Sequence, residues 1–195
     1  MRGDAIRPFL TDLARLRTTV FRAWPYLYAG SETYEHAYLR SYADCSDAAV
    51  ILALDGNRVV GAATCLPLMA ETDAIQAPIR AQGWNPERFV YFGESVLMPA
   101  YRGRGTGVAF FEAREAHART IPNCDFTCFC SVRREPDHPQ RPTGFVPLDD
   151  FWRKRGYRPI PGLACTMSWL DVGNMEETEK ILDFWVRSLS GAALP

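Results

Sequence analysis

Residues 97–111 read LMPAYRGRGTGVAFF, and the glycines Gly103, Gly105 and Gly107 inside them constrain the chain more than any other stretch. The residues just before, FVYFGESVL (89–97), are rich in aromatic and branched side chains and predict a strand. Those from Val108 onward, VAFFEAREAHART, are alanine-rich and predict a helix over 108–120. The chain therefore runs from a strand through a glycine turn into a helix. Glycine accepts left-handed backbone angles and lets amide N–H groups come close to a ligand. The first turn of the helix adds unpaired N–H groups and the positive end of a dipole. Together these suit an anion of the phosphate type, and Arg102 and Arg104 add positive charge. A dinucleotide fingerprint counted from Gly103 needs its third glycine at position 108, where Val108 stands. A P-loop needs a lysine that is absent here. Both are excluded.

The rest of the chain predicts strands alternating with helices. Leu13, Leu16, Val20 and Trp24 recur at helical spacing and predict a helix over 11–24, ended by Pro25. Ser31 caps a second helix over 32–43, with Tyr34, Tyr38 and Tyr42 on one face. Strands at 49–54 and 58–66 flank Asp55-Gly56-Asn57, a hairpin signal. Short helix and loop follow over 69–88. FTCFCSV (126–132), apolar almost throughout, predicts a central strand. A proline-rich loop covers 133–147, a short helix 148–155 and a last strand 164–170. The pattern of 176–189 predicts a closing amphipathic helix. The expected fold class is α/β (α+β), one domain over residues 1–195, with a mixed sheet covered on both faces.

Composition bounds the partners. Of 195 residues, 47% are hydrophobic and 23% charged, as in ordinary soluble domains. A formal net charge of -1 argues against nucleic acid or an anionic membrane as the main partner. The six cysteines form no C-x-x-C and the three histidines have no helical metal spacing, so no metal is expected. MRGDAIRPFL has no apolar run, and no segment approaches membrane-spanning length; the expectation is a cytoplasmic protein with reduced thiols. The oligomeric state is left open, with a homodimer as the candidate.

The string LMPAYRGRGTG, with a strand before it and a helix after it, resembles the signature V-x-P-x-Y-R-G-x-G-x-G of the GNAT superfamily of acetyl-CoA-dependent N-acetyltransferases. Leu97 stands in the Val position. FWRKRGY (151–157) is a looser match to the family's F-Y-x-x-x-G-F. The resemblance implies a GNAT-like, mostly antiparallel sheet and acetyl-CoA as co-substrate, with no metal. It implies that the backbone of Ser95, Val96 and Leu97 pairs with the pantetheine arm. It implies that the loop of Arg102, Gly103, Arg104, Gly105, Thr106, Gly107 and Val108 holds the pyrophosphate. An amide near Leu97 would polarise the thioester carbonyl.

Direct acetyl transfer needs a base for the acceptor amine and a donor for the oxyanion. Glu94, in an otherwise apolar strand, is the candidate base; burial there would raise its pKa. Its other reading is an outward carboxylate paired with an arginine. Tyr91 occupies a place where some superfamily members carry a catalytic acid or histidine, and is otherwise a pocket wall. The family's usual acid, the Tyr of F-Y-x-x-x-G-F, is Trp152 here, and an indole is not a practical proton donor. Cys128 and Cys130 share a strand face and read as packing thiols. The aromatic segment WPYLYAGSETY supplies Trp24, Tyr26, Tyr28 and Tyr34 as candidates for an acceptor pocket, and Arg133, Arg134 and Arg141 are candidates for an acceptor carboxylate. The expected activity is acetylation of a small-molecule amine. A non-catalytic acyl-CoA-binding module and a protein N-acetyltransferase remain as alternatives.

Overall fold

The computed structural model describes residues 1–194. After a 3-10 turn at Gly3–Phe9 come helices α1 (Leu10–Phe21) and α2 (Glu32–Asp44). Ser31 caps α2, its hydroxyl accepting from the Tyr34 N–H. A hairpin of β1 (Ala49–Asp55) and β2 (Arg58–Pro67) leads to α3 (Asp73–Ala81). Next come β3 (Phe89–Tyr91), β4 (Ser95–Leu97), α4 (Thr106–Ala118) and β5 (Phe126–Val132). The chain closes with α5 (Asp149–Arg153), β6 (Arg158–Leu170) and β7 (Glu177–Ser188).

The seven strands form one sheet in the order β1-β2-β3-β5-β7-β6, with β4 also on β2. Among the described residues only β3 and β5 run parallel; the other pairs are antiparallel. Side chains alternate across the sheet as the pleat requires. In β5, Cys128 and Cys130 enter the apolar layer shared with Leu13, Leu16 and Tyr42, while Phe129 enters the layer shared with Phe111 and Trp185. Helices α1, α2 and α3 therefore cover one face and α4 and α5 the other. This is the mixed, mostly antiparallel architecture expected.

Two predicted elements are corrected. The predicted helix over 176–189 is strand β7. Lys180, Leu182, Phe184 and Val186 are buried at a spacing of two, and Trp185 is buried on the opposite face. A strand covered on both sides loses the apolar–polar alternation, so its sequence also fits a helical period. The single strand expected over 89–97 is two strands. Residues 92–94 interrupt it, and both halves pair with β2. The glycine at 93 is dictated by space: a Cβ there would stand 2.0 Å from the Tyr42 hydroxyl.

Candidate active site

The interruption at 92–94 splits the sheet. β3 pairs with β5 through Tyr91 and Cys128, and the Phe92 N–H makes one more bond to the Cys128 carbonyl, 2.8 Å. Beyond that point β4 stays on β2 and no longer pairs with β5. On β4 the Glu94 carbonyl accepts from Thr64 N–H and the Met98 N–H donates to Val60, at 3.0 and 2.9 Å. Alternation in an antiparallel ladder then turns Val96 toward β2 and the backbone groups of Ser95 and Leu97 away from it. The Leu97 carbonyl is taken by Arg102 Nε at 3.2 Å. The Ser95 N–H and C=O and the Leu97 N–H are left facing the gap. On the other wall, Arg133 N–H bonds to Ile181 of β7, so the same alternation turns Cys130 and Val132 toward the gap. Two strand edges with open backbone groups thus border the gap.

The glycine loop lies at the end of β4. Gly103 and Gly105 have φ of 75° and 85°, angles that favour glycine. Gly105 is the N-cap of α4, whose first intrahelical bonds begin at Val108 and Ala109. The amides of residues 103–107 donate to no backbone carbonyl among the described residues. The first turn of α4 carries no acidic side chain, so its positive end is uncompensated. Arg102 and Arg104 are exposed beside it. These features make an anion-binding turn beside two open strand edges.

Glu94 lies beside Ser95 and is buried, but it is not alone. The Arg17 guanidinium of α1 donates through Nη1 to Glu94 Oε2 at 2.5 Å and through Nε to Glu35 Oε2 of α2. The Arg17 plane also lies over the Tyr38 ring, 4.2 Å from its centroid. Tyr38 donates to Glu94 Oε2 at 3.1 Å. The second oxygens of Glu35 and Glu94 are buried without a partner among the described residues. Burial pushes the Glu94 carboxyl above the usual carboxylate range, against the pull of Arg17 and the Tyr38 hydroxyl. A carboxylate so placed combines basicity with a free acceptor atom.

The other candidates divide. Tyr91 is buried on the same face as Glu94, beside Cys130, and burial holds its hydroxyl protonated. Tyr26 is partly buried near Arg17 and Glu94, and desolvation of its hydroxyl pushes its pKa up to about 12. Tyr28 is half-buried beside Glu35, and burial and that carboxylate raise its pKa. Tyr34 is 54% exposed. Trp24 instead packs on His138 and Phe145 of the long loop. The three arginines proposed for an acceptor carboxylate are engaged otherwise. Arg133 pairs with Asp183, and Arg141 donates to the Pro136 carbonyl. Arg134 clamps Asp171 and the carbonyls of Pro25 and Tyr26. Trp152 packs edge-on against Phe129 and Trp185. The Cys130 and Cys165 sulfurs lie 3.8 Å apart inside the core.

Sequence reasoning did not single out Arg17 or Glu35. The one available signal was an arginine beside the apolar stripe of α1, one residue after buried Leu16.

Residues 13–143 match the family model described as "Acetyltransferase (GNAT) family". No curated protein matches the sequence significantly. Among solved structures, the loading GNATL domain of CurA from Lyngbya majuscula superposes with a TM-score of 0.62 at 14% identity, over 95% of each chain. Arabidopsis thaliana NAA60 in complex with a bisubstrate analogue gives 0.59 at 13% identity, over 97% of each chain. An aminoglycoside 6'-N-acetyltransferase complexed with coenzyme A gives 0.59 at 13% identity, over 100% of this chain and 98% of that one. At such identities the likeness is one of fold.

Proposed function

The chain belongs to the GNAT acetyltransferase family, and from that premise we propose that it transfers an acetyl group from acetyl-CoA to a primary amine of a small molecule. The observation that carries this reading is Glu94: a buried carboxylate with one free oxygen, set where the sheet splits and next to the open backbone of Ser95.

The residues divide the work. The amides of Gly103 to Gly107 and the α4 dipole hold the coenzyme's phosphates. The β4 edge aligns its arm and fixes the acyl group, a gain of positioning over a free collision. An N–H of Ser95 or Leu97 donates to the carbonyl oxygen as negative charge grows there. Acetyl-CoA supplies the activated acyl group and a thiolate leaving group. Glu94 takes a proton from the ammonium form of the acceptor, which frees the nitrogen lone pair. Overall one proton returns to the departing thiolate and one to solvent. A thiol with a pKa of about 8.5 leaves without a dedicated acid, which is compatible with tryptophan at position 152. The burial of Glu35 and Glu94 supports a small acceptor over a broad peptide surface.

Among the described residues no helix is long and apolar enough to cross a membrane. Thioester consumption across a panel of amines, amino acids and peptides, with the product identified by mass, tests the reading. Acetylation of a small amine is expected. Turnover of none, or of peptides alone, overturns the choice of acceptor.

A further inference from the structure

Glu94 must lose a proton after every turnover, yet its side chain is only 2% exposed. Of the two groups that bond its Oε2, Arg17 cannot accept a proton. The other, Tyr38, can. The Tyr38 hydroxyl lies 2.9 Å from that of Tyr42, and the Tyr42 hydroxyl lies 3.5 Å from Glu71 Oε1. Glu71, just after β2, is only partly buried and has solvent access. Four side chains thus form a continuous file from the base to the surface.

Counting protons shows what the file holds. It has three oxygen-to-oxygen links, and each hydroxyl brings one proton. With both carboxylates ionised there are two protons for three links. One further proton, on either carboxylate, completes the set. The same file accepts that proton at the Glu94 end and releases it at the Glu71 end.

Gly93 is a second, independent observation. Its φ lies outside the left-handed range, so the backbone does not require glycine. A Cβ would stand 2.0 Å from the Tyr42 hydroxyl and 2.9 Å from Thr64 Oγ1. The glycine keeps open the space that the second hydroxyl occupies.

We propose that Glu94, Tyr38, Tyr42 and Glu71 form a relay that carries the acceptor's proton to the surface, an inference that rests on Glu94 being the base. The Glu94 carboxyl takes the proton on its free Oε1 and rotates to turn that O–H toward Tyr38, and the O–H then breaks as the proton passes to the Tyr38 oxygen. Tyr38 passes its own proton to Tyr42, and Tyr42 passes its own to Glu71. Only the two carboxyl groups change charge, and Glu71 then discharges to water. The other groups facing the file are Arg17 from α1, Glu35 from α2, Thr64 from β2 and Tyr91 from β3. Arg114 from α4 bonds the Glu94 carbonyl at 3.1 Å. Thr64 is wholly buried and bonded by the Glu94 N–H, so it offers no exit.

The test uses steady-state kinetics with the fastest acceptor among putrescine, tyramine and kanamycin. Tyr42→Phe and Glu71→Gln should each lower kcat about tenfold or more and leave the acetyl-CoA KM nearly unchanged. Proton release then limits the rate. The solvent deuterium isotope effect on kcat should rise, and kcat should increase with buffer concentration. A purely structural role would move neither readout. Acetyl-CoA binding by each variant confirms that it is folded, and Glu71, being partly exposed, guards against loss of the Tyr42 variant. Wild-type kcat and isotope effect in both variants, with Glu94→Gln slow, would overturn the relay alone. Full activity of Glu94→Gln, or no turnover of any amine, would remove the base reading and the relay with it.

Discussion

Arg17→Met isolates the electrostatics of the cluster. Methionine keeps much of the apolar stem and deletes a guanidinium shared by two carboxylates whose side chains are 0% and 2% exposed. Removing one partner of a buried ion pair costs about 3–5 kcal/mol, because the remaining charge is stranded in a poor solvent. Here two carboxylates are stranded and a cation–π contact with Tyr38 is lost, so about 4–5 kcal/mol is expected. In a chain of this size that lowers Tm by about 8–20 °C. Urea unfolding should show a lower midpoint at nearly constant m. The loss should depend on pH. Glu94 already has a raised folded-state pKa, so the native state binds more protons than the unfolded one. Stability therefore falls as pH rises from the unfolded carboxyl value, about 4.3, through the folded value. Without Arg17 that folded value rises further. The deficit of the variant should be smallest below about pH 4 and largest above neutrality. A loss under about 1 kcal/mol, or one that is flat between acid and neutral pH, would refute a charged, buried cluster.

Two further variants probe the two ligand sides. Gly105→Val places a branched side chain at a φ of 85°, at a cost of about 1–2 kcal/mol, in the turn that presents the α4 amides. Acetyl-CoA affinity measured by calorimetry should fall about tenfold or more with far-ultraviolet circular dichroism retained; unchanged affinity would make the loop a mere connector. Tyr28→Ala opens the wall beside Glu35 and should raise KM for the acceptor more than for acetyl-CoA. An effect confined to acetyl-CoA would move this residue to the coenzyme side.

What the sequence disclosed follows from the range of each signal. The glycine loop is local: a strand, three glycines and a helix are contiguous, so its geometry could be read in line. The hairpin at Asp55-Gly56-Asn57 was legible for the same reason. The cluster around Glu94 was not. Arg17 and Glu94 are 77 positions apart, and Arg17 and Glu35 are 18 apart. No periodicity links an arginine on one helix, a glutamate on the next and a carboxylate at a strand break. Glu94 alone stood out, because a charge inside an apolar strand needs an explanation; its partner had to come from the fold. The structure answers only the pairing question for Glu94. It is paired with an arginine and yet buried, since the arginine comes from the helices above the sheet. β7 shows the converse limit, a doubly covered strand whose pattern also fits a helix. The acceptor arginines illustrate a third. Arg134 has the chemistry for a substrate carboxylate, but Asp171 of the same chain reaches it first.

Whether Glu94 takes the acceptor's proton during acetyl transfer is decided by steady-state thioester consumption by the wild type and Glu94→Gln across pH. Glutamine keeps the shape and removes the basicity. In the variant kcat should fall by about 10²–10⁴ while acetyl-CoA affinity stays nearly intact. Because the Glu94 pKa is raised, the wild-type acid limb should lie above the usual carboxylate range, with activity lost as pH falls through it; that limb should vanish in the variant. A Glu94→Gln enzyme with wild-type kcat and an unchanged pH profile would show that Glu94 is not the base.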